Sequence, residues 1–478
     1  MSRILSAVLV TVFSTFAMEL HTDGAKIVDE NGIEVVFTGV NWFGFETSNR
    51  CPHGLWSRDY KGVLLQIRQM GFNCIRLPFS DKILEPGCMP SSISFYGTDL
   101  FVNVANGKIN QELQGKTSLQ VLDIIMEKCR ELSIGVILDN HSRDPDGYMN
   151  EKVWYTADVP EALWIQNWTS LAKRYKDNDA LVGCDLDNEP HGKQADGGSE
   201  WGTGVPATDW RLAAERCGNA ILSANPRVLI VVEGVEQVGS DGYWWGGNLS
   251  GAKGAPVRLS NPQKLVYSAH DYGPEVFVQT WFDDPSFPAN LEAVWDAHFG
   301  YLVKENIAPV LIGEFGIRDQ GSFNGREGTW FKTLMAYLKN RFSWTFWCYN
   351  PNSGDTGGLL EYDWLTTVKW KLDLLAPYCN PLLPFSGVAK ADRIATAKTT
   401  TAQRWIMTAG RNGIRIVPPD DARSASLEIV NMRGMRIAST AFNPGQSMAF
   451  GLAPGLYVVK IITPENGEPL TKRILMSR

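Results

Sequence analysis

Two glutamates stand at the polar ends of apolar runs: Glu189 in L-D-N-E-P and Glu314 in L-I-G-E-F-G. Burying a carboxylate behind such a run is unfavourable unless it has partners or a task. Cleavage of a glycosidic acetal needs two carboxyl groups flanking one bond. One protonates the departing oxygen, and the other stabilises or captures the oxocarbenium-like carbon. Asn188 stands beside Glu189, and the other six apolar runs also end in polar or aromatic residues: Asn41 and Trp42, Arg76, His141, Glu233, His270 with Tyr272, and Trp347. A lone His or Glu of this kind is usually a satisfied structural residue. Eight runs all ending this way point to one shared site. Glu233 reads as structural packing. Asp139 and His141 could begin a metal site, but no third ligand lies at a usual spacing, so neither a metal nor a cofactor is expected.

The runs themselves indicate what must hold these residues. Eight short segments rich in Val, Ile and Phe, beginning at Glu34, Phe72, Ile134, Leu181, Arg227, Lys264, Ala308 and Ser343, read as buried parallel strands. Between most of them, residues 60–70, 118–132, 161–175, 209–222, 291–303 and 329–338 carry apolar side chains at helical spacing. The exception follows the fifth run, where G-S-D-G-Y-W-W-G-G-N-L-S-G-A-K-G-A-P predicts a long loop. This alternation predicts an α/β fold, a (β/α)8 TIM barrel, over residues 18–385. A doubly wound open sheet is the alternative, but no strand is followed by a G-x-G-x-x-G turn. In a barrel, catalytic side chains come from the C-terminal strand ends, which is where the polar set lies.

The ends of the chain read differently. Residues 1–17 carry Arg3 and then an apolar run too short to span a bilayer, the pattern of a signal peptide. No membrane span is expected, and the protein should be secreted. Residues 386–402, rich in Thr, Ala and Lys, read as a linker. From 403 to 478 short alternating runs separated by Gly, Pro and Asn predict a small, sandwich-like all-β domain. The net charge is -7 and there is no long basic run, which argues against a nucleic-acid partner. Of the eight cysteines, Cys74, Cys184 and Cys348 lie in strand-like runs and read as buried thiols, while Cys51 and Cys88 lie in loops and could pair. The chain has 17 Trp, several beside Gly, Asn and Asp in loops, where flat rings suit the C–H faces of sugars.

Taken in order, N-W-F-G-F-E-T, G-F-N-C-I-R-L-P-F-S, N-E-P, A-H-D-Y, G-E-F-G and F-W-C-Y-N-P-N-S-G-D-T-G-G-L-L resemble the bacterial endo-β-1,4-glucanases of glycoside hydrolase family five. The resemblance implies Glu189 as general acid/base and Glu314 as nucleophile. It implies Asn188 as donor to the sugar 2-hydroxyl, Arg76 and Tyr272 as hydrogen-bond partners of Glu314, and His141 and His270 as members of the surrounding network. Trp347 would be the floor beneath the sugar at the point of cleavage. Trp42, Trp244 or Trp245, and Trp201 are candidates for flanking sugar subsites. Asp187 departs from the pattern, standing where close relatives often carry His. The implied ligand is a β-glucan, although mannan or xyloglucan hydrolysis and transglycosylation use the same pair. A non-catalytic glycan-binding protein would show a damaged pair, and here both glutamates are present. The tail, with L-E-I-V-N-M-R-G, L-A-P-G-L-Y-V-V-K-I and T-K-R-I-L-M-S-R, resembles C-terminal sorting domains of secreted bacterial proteins, implying contact with secretion machinery and possible cell-surface attachment.

Overall fold

The computed structural model describes residues 18–385, apart from 103, 319–322 and 384, and seven strands between 406 and 476. The expected signal peptide (1–17) and linker (386–402) lie outside the described residues. The chain divides into two compact units, residues 1–389 and 390–478.

All eight apolar runs form strands of one closed barrel. They are β1 (Thr38–Asn41), β2 (Cys74–Ser80), β3 (Gly135–Ser142), β4 (Leu181–Asp185), β5 (Leu229–Glu233), β6 (Leu265–His270), β7 (Val310–Glu314) and β8 (Ser343–Phe346). The barrel is closed in sequence order, and every neighbouring pair is parallel, including β8 with β1. Every residue of these strands is buried, so they read as continuous apolar runs rather than as alternation.

Helices α1 (Tyr60–Gln69), α2 (Ser118–Glu131), α3 (Glu161–Arg174) and α4 (Trp210–Ala224) follow β1 to β4 and start where the sequence supplies a signal. Asp59 caps α1, Thr117 and Gln120 form a reciprocal capping box on α2, and Asp209 caps α4. Each helix buries one stripe against the strands, such as Val63, Leu64 and Ile67 of α1 and Val121, Leu122 and Ile125 of α2. No α-helix follows β5; its place is taken by a loop from Gly234 to Asn261 and a single 3-10 turn at Pro262–Lys264, as the Gly- and Trp-rich stretch predicts. After β6 the helix is α-helical over Leu291–Trp295, passes through a π turn at Asp296–Gly300, and ends in Tyr301–Lys304. Helix α5 (Arg326–Leu338) follows β7.

A short hairpin, His21–Asp23 with Lys26–Val28, lies at the N-terminal end of the strands, away from the predicted site. There the Lys264 ammonium, just ahead of β6, donates to the Leu20 carbonyl, and Asn306, ahead of β7, accepts from the Ala25 amide. No helix among the described residues is long and apolar enough to cross a membrane. The eight cysteines are free thiols, which corrects the suggested pairing of Cys51 with Cys88: Cys51 Sγ faces the Ser91 carbonyl at 3.1 Å, and Cys88 Sγ faces the Ser118 hydroxyl. Cys74, Cys184 and Cys348 are buried, as their strand-like settings imply.

Among its described residues the second unit has seven strands in two antiparallel sheets. One holds Ile406–Gly410, Gly413–Val417 and Met448–Phe450; the other holds Arg436–Phe442, Ala425–Asn431, Gly455–Ile462 and Leu470–Met476. Its alternating sequence matches this all-β organisation.

Candidate active site

Arg76 is the hub of the barrel mouth. It projects from β2, is completely buried, and reaches four carboxylates. Nε donates to Asp185 at 2.8 Å, Nη1 to Glu314 at 2.7 Å and Nη2 to Glu233 at 2.9 Å, while Nη1 lies 3.1 Å from Asp139. A guanidinium presents its donors in a fixed fork, so one side chain sets the relative positions of four strand tips. It also donates to the side-chain oxygens of Asn41 and Asn188. Burial opposes its charge, and the surrounding carboxylates more than offset this. Asp185 shows the reverse outcome. Burial and the nearby Glu233 raise its pKa well above an ordinary carboxyl, against the pull of Arg76.

Glu314, at the tip of β7, is gripped on both oxygens. Oε1 accepts from Arg76, and Oε2 accepts from the Tyr272 hydroxyl at 2.7 Å. Burial and the charges of Glu314 and Glu189 hold the Tyr272 phenol neutral, so it remains a donor. Glu189, beyond the end of β4, has a different environment. Its Oε1 lies 2.8 Å from His270 Nδ1, its only side-chain partner among the described residues. Burial raises its pKa; the His270 hydrogen bond and charge oppose this, and the charges of Glu314 and Glu233 add to it. Carboxylate oxygens of Glu189 and Glu314 and a His270 ring nitrogen all lie within 4.8 Å of one another. The two glutamates therefore meet across the mouth, as the sequence predicts.

The main chain at Glu189 is in the left-handed region, with φ of 51°. For a residue with a side chain this costs about 1–3 kcal/mol and persists only where the surroundings enforce it. Two contacts do so here. The Glu189 amide donates to Glu233 Oε2 at 2.8 Å, and the Glu189 carbonyl lies 2.8 Å from His191 Nδ1.

His270 faces carboxylates from both ring nitrogens, Glu189 at Nδ1 and Glu233 at Nε2, 3.2 Å away. Burial alone would discharge the ring; Glu233, Glu314 and the bond to Glu189 outweigh it and hold the ring protonated, well above an ordinary histidine. His141 Nδ1 sits 2.7 Å from Asp139, which, against burial, raises its pKa to about 9. The His141 ring lies parallel to Trp347, with centroids 5.7 Å apart, and Phe43 stacks on the same indole. Trp347 is part-exposed beside the pair, and its indole N–H donates to Ser353.

The remaining tryptophans are sorted by burial. Trp42 is 0% exposed, packs edge-on against Tyr349, and donates its indole N–H to the His53 carbonyl. Protein covers both its faces, which corrects its expected substrate-binding role: it is a core residue. Trp201 is likewise buried and donates to the Ala255 carbonyl. Trp244 is 7% exposed and lies edge-on to Tyr272 and Phe277. Trp245 is the open member of its pair, 40% exposed and stacked on His191 with centroids 3.8 Å apart.

Among the described residues, folding brings together three carboxylate and imidazole sets that sequence spacing did not reveal: Asp139, His141 and Glu314; Glu189, His270 and Glu314; and Asp139, Asp185 and Glu233. Each already surrounds Arg76 or a protonated histidine, so a metal ion there would meet an existing positive charge. Reading the sequence also missed Asp271. Buried between His270 and Tyr272, it accepts from the Tyr243 hydroxyl at 2.6 Å and from the indoles of Trp295 and Trp330. Its neighbours in the A-H-D-Y motif were the available signal. At the departure noted above, Asp187 pairs with Arg143 at 2.7 Å, and Arg143 also lies 3.0 Å from Asp81.

The family described as cellulase, glycosyl hydrolase family 5, matches residues 28–353. An endoglucanase of Paenibacillus polymyxa is 46% identical over 375 residues, which covers 78% of this chain and 89% of that protein. The major extracellular endoglucanase of Xanthomonas campestris is 40% identical, over 73% of this chain and 69% of its own. An endocellulase of Pyrococcus horikoshii, solved in complex with cellotetraose, superposes with a TM-score of 0.69 at 38% identity, covering 76% of this chain and 99% of that one. A closed parallel barrel, two glutamates meeting at its mouth and relatives aligned across nearly its whole length lead to one conclusion: the chain belongs to glycosyl hydrolase family 5 and is a cellulase of the endoglucanase type.

Proposed function

We propose that this endoglucanase cleaves internal β-1,4 bonds of glucan chains with retention, Glu189 serving as acid/base and Glu314 as nucleophile. The observation that carries this reading is the approach of their carboxylate oxygens to within 4.8 Å. Retaining glycosidases hold the two carboxyl groups about 5–5.5 Å apart, whereas inverting enzymes leave room for a water at about 6.5–9.5 Å.

The two settings suit two tasks. Glu314, bonded to Arg76 and Tyr272, is aimed and ready to attack the anomeric carbon. Glu189, its pKa raised by burial, holds a proton for the leaving oxygen. Attack by Glu314 breaks the glycosidic bond as Glu189 delivers that proton, and a covalent glycosyl-enzyme forms. The negative charge on Glu314 is then gone, so the pKa of Glu189 falls. Glu189 next takes a proton from water, whose oxygen displaces Glu314 with a second inversion. In this reading Asn188, whose side-chain oxygen accepts from Arg76, donates to the 2-hydroxyl, and Trp347, stacked beside His141, lies beneath the sugar.

The test is to digest soluble cellulose and follow the first products by NMR. Newly formed ends should appear as the β anomer, with rapid loss of viscosity on carboxymethyl cellulose. Initial α product would remove the double displacement, and activity confined to mannan would remove the glucan assignment.

The same reading places the enzyme outside the cell, with residues 1–17 as its export signal and 403–478 as a sorting domain. The apolar N-terminal run and the extracellular Xanthomonas relative support secretion. Deleting residues 403–478 should leave specific activity unchanged while shifting the enzyme from medium or surface to the cells. Unchanged distribution would remove the sorting role.

A further inference from the structure

We infer that Glu233, at the tip of β5, is a positioning residue for Glu189: it pins the main chain of Glu189 in its left-handed conformation and orients the His270 ring that grips the Glu189 side chain. The inference rests on the assignment of Glu189 as acid/base.

Glu233 is 0% exposed and cannot touch a substrate. Both of its oxygens are engaged. Oε2 accepts the Glu189 amide at 2.8 Å; Oε1 accepts from Arg76 at 2.9 Å and forms an ion pair with His270 Nε2 at 3.2 Å, without hydrogen-bond geometry. One carboxylate thus contacts the acid/base by two routes, through its backbone and through the histidine bonded to its side chain.

A simpler role would be to neutralise Arg76. Two observations argue against it. Asp139 and Asp185 already flank the guanidinium, and each leaves its Oδ1 without a hydrogen bond. Glu233 instead sends its second oxygen to the next strand tip. The loop after β5 is also shaped around that contact. Gly246, at φ of 64°, lies against it: a Cβ there would stand 2.2 Å from Glu233 Oε2 and 3.1 Å from Glu189 Cα. The Gly246 carbonyl accepts the Gly234 amide at 2.9 Å, tying the loop back to the end of β5. A glycine is therefore required where the loop closes over the Glu233–Glu189 bond.

The consequence is selective. If the Glu189 amide loses its acceptor, the strained backbone can relax and carry the carboxyl away from the leaving oxygen. Reactions that need a proton should suffer; glycosylation by a substrate with a highly activated leaving group should not. We would measure kcat/KM, which reports glycosylation, on cellotetraose and on 2,4-dinitrophenyl β-cellobioside. The enzymes are wild type, Glu189→Ala, Glu233→Leu, Glu233→Gln and Gly246→Ala, with melting temperatures recorded in parallel.

Glu189→Ala should lose roughly 10²–10⁴-fold on cellotetraose and little on the aryl glycoside. Glu233→Leu should lose about 10²-fold on cellotetraose and less than about fivefold on the aryl glycoside. Glu233→Gln keeps an oxygen for the amide, although its NH2 faces Arg76, so its loss should be smaller. Gly246→Ala, which changes no charge, should show the same preference for the activated substrate. Equal losses on both substrates, or a lowered melting temperature with no loss on cellotetraose, would overturn the inference. If Glu233→Leu does not fold, absence of the split in both Glu233→Gln and Gly246→Ala overturns it. If Glu189→Ala itself shows no split, the acid/base assignment fails first and the inference falls with it.

Discussion

Glu189 beyond β4 and Glu233 at the tip of β5 both lie at the barrel mouth, yet the two side chains are in opposite conditions. Glu189 has one oxygen bonded to His270 and no other side-chain partner among the described residues. Glu233 engages Arg76, His270 and the Glu189 amide with its two oxygens and has no exposure. Residue type does not separate them, and neither does burial alone. The difference lies in unused hydrogen-bonding capacity. A carboxylate whose donors are all supplied by protein is fixed in place, and its removal strands them. One left partly open can take a proton and give it away.

That contrast is broken most severely at the nucleophile. Glu314→Gln should lower turnover of soluble cellulose by roughly 10⁴-fold or more, measured as reducing ends released, with the fold intact. Retention of most of the rate would show that Glu314 is as structural as Glu233.

The opposite result is expected at Asp271, whose oxygens serve Tyr243, Trp295 and Trp330. Asp271→Leu strands three buried donors and should lose about 3 kcal/mol or more in urea unfolding. The pH dependence has a definite sign. Burial raises the folded pKa of Asp271 to about 7, against an unfolded value of about 3.9. Its contribution is complete below the unfolded pKa and is lost as pH rises through about 7. Asp271→Asn should therefore show a shallower fall in stability between pH 5 and 8 than the wild type. An unchanged slope would place the titration elsewhere.

The coupling between Glu189 and Glu314 can be sharpened by NMR. The charge of Glu314 raises the Glu189 pKa, so the Glu189 titration should move to lower pH in Glu314→Gln. An unmoved titration would mean that the pair does not communicate, contrary to the double displacement.

The smallest effects are expected at the tryptophans, where the same contrast recurs. Trp245→Ala removes an exposed face and should raise KM for cello-oligosaccharides about two- to tenfold, with stability little changed. Trp42→Phe should leave KM unchanged and lower the melting temperature, because its indole N–H is bonded inside the core. A reversed pattern would restore Trp42 as a sugar platform.

Much of this could be read from the chain in one dimension. Continuous apolar runs mark strands buried on both sides, and apolar residues at helical spacing mark the helices between them. The Gly- and Trp-rich stretch after β5 forms no helix, and the polar run ends converge on the mouth. The errors have a common cause. Trp42 and Trp245 are identical in type and both lie next to strand or loop boundaries, so only packing distinguishes a covered face from an open one. The partners of Glu233, namely Arg76, Glu189 and His270, come from three other strands, so its contacts are not written near it in the chain. Cys51 and Cys88 both lie in loops, and only the fold shows each thiol facing a different partner.

Local sequence by itself determined the strands, the helices, the order in which they close, and the two glutamates at β4 and β7. Periodicity and capping act over a few residues and are written in the chain. Tertiary structure alone decided that one guanidinium would serve four carboxylates and that Glu189 would be held in a left-handed backbone by a neighbouring strand tip. It also decided which aromatic faces remain open. Those outcomes depend on distances between residues far apart in the chain, and only closure of the barrel sets such distances.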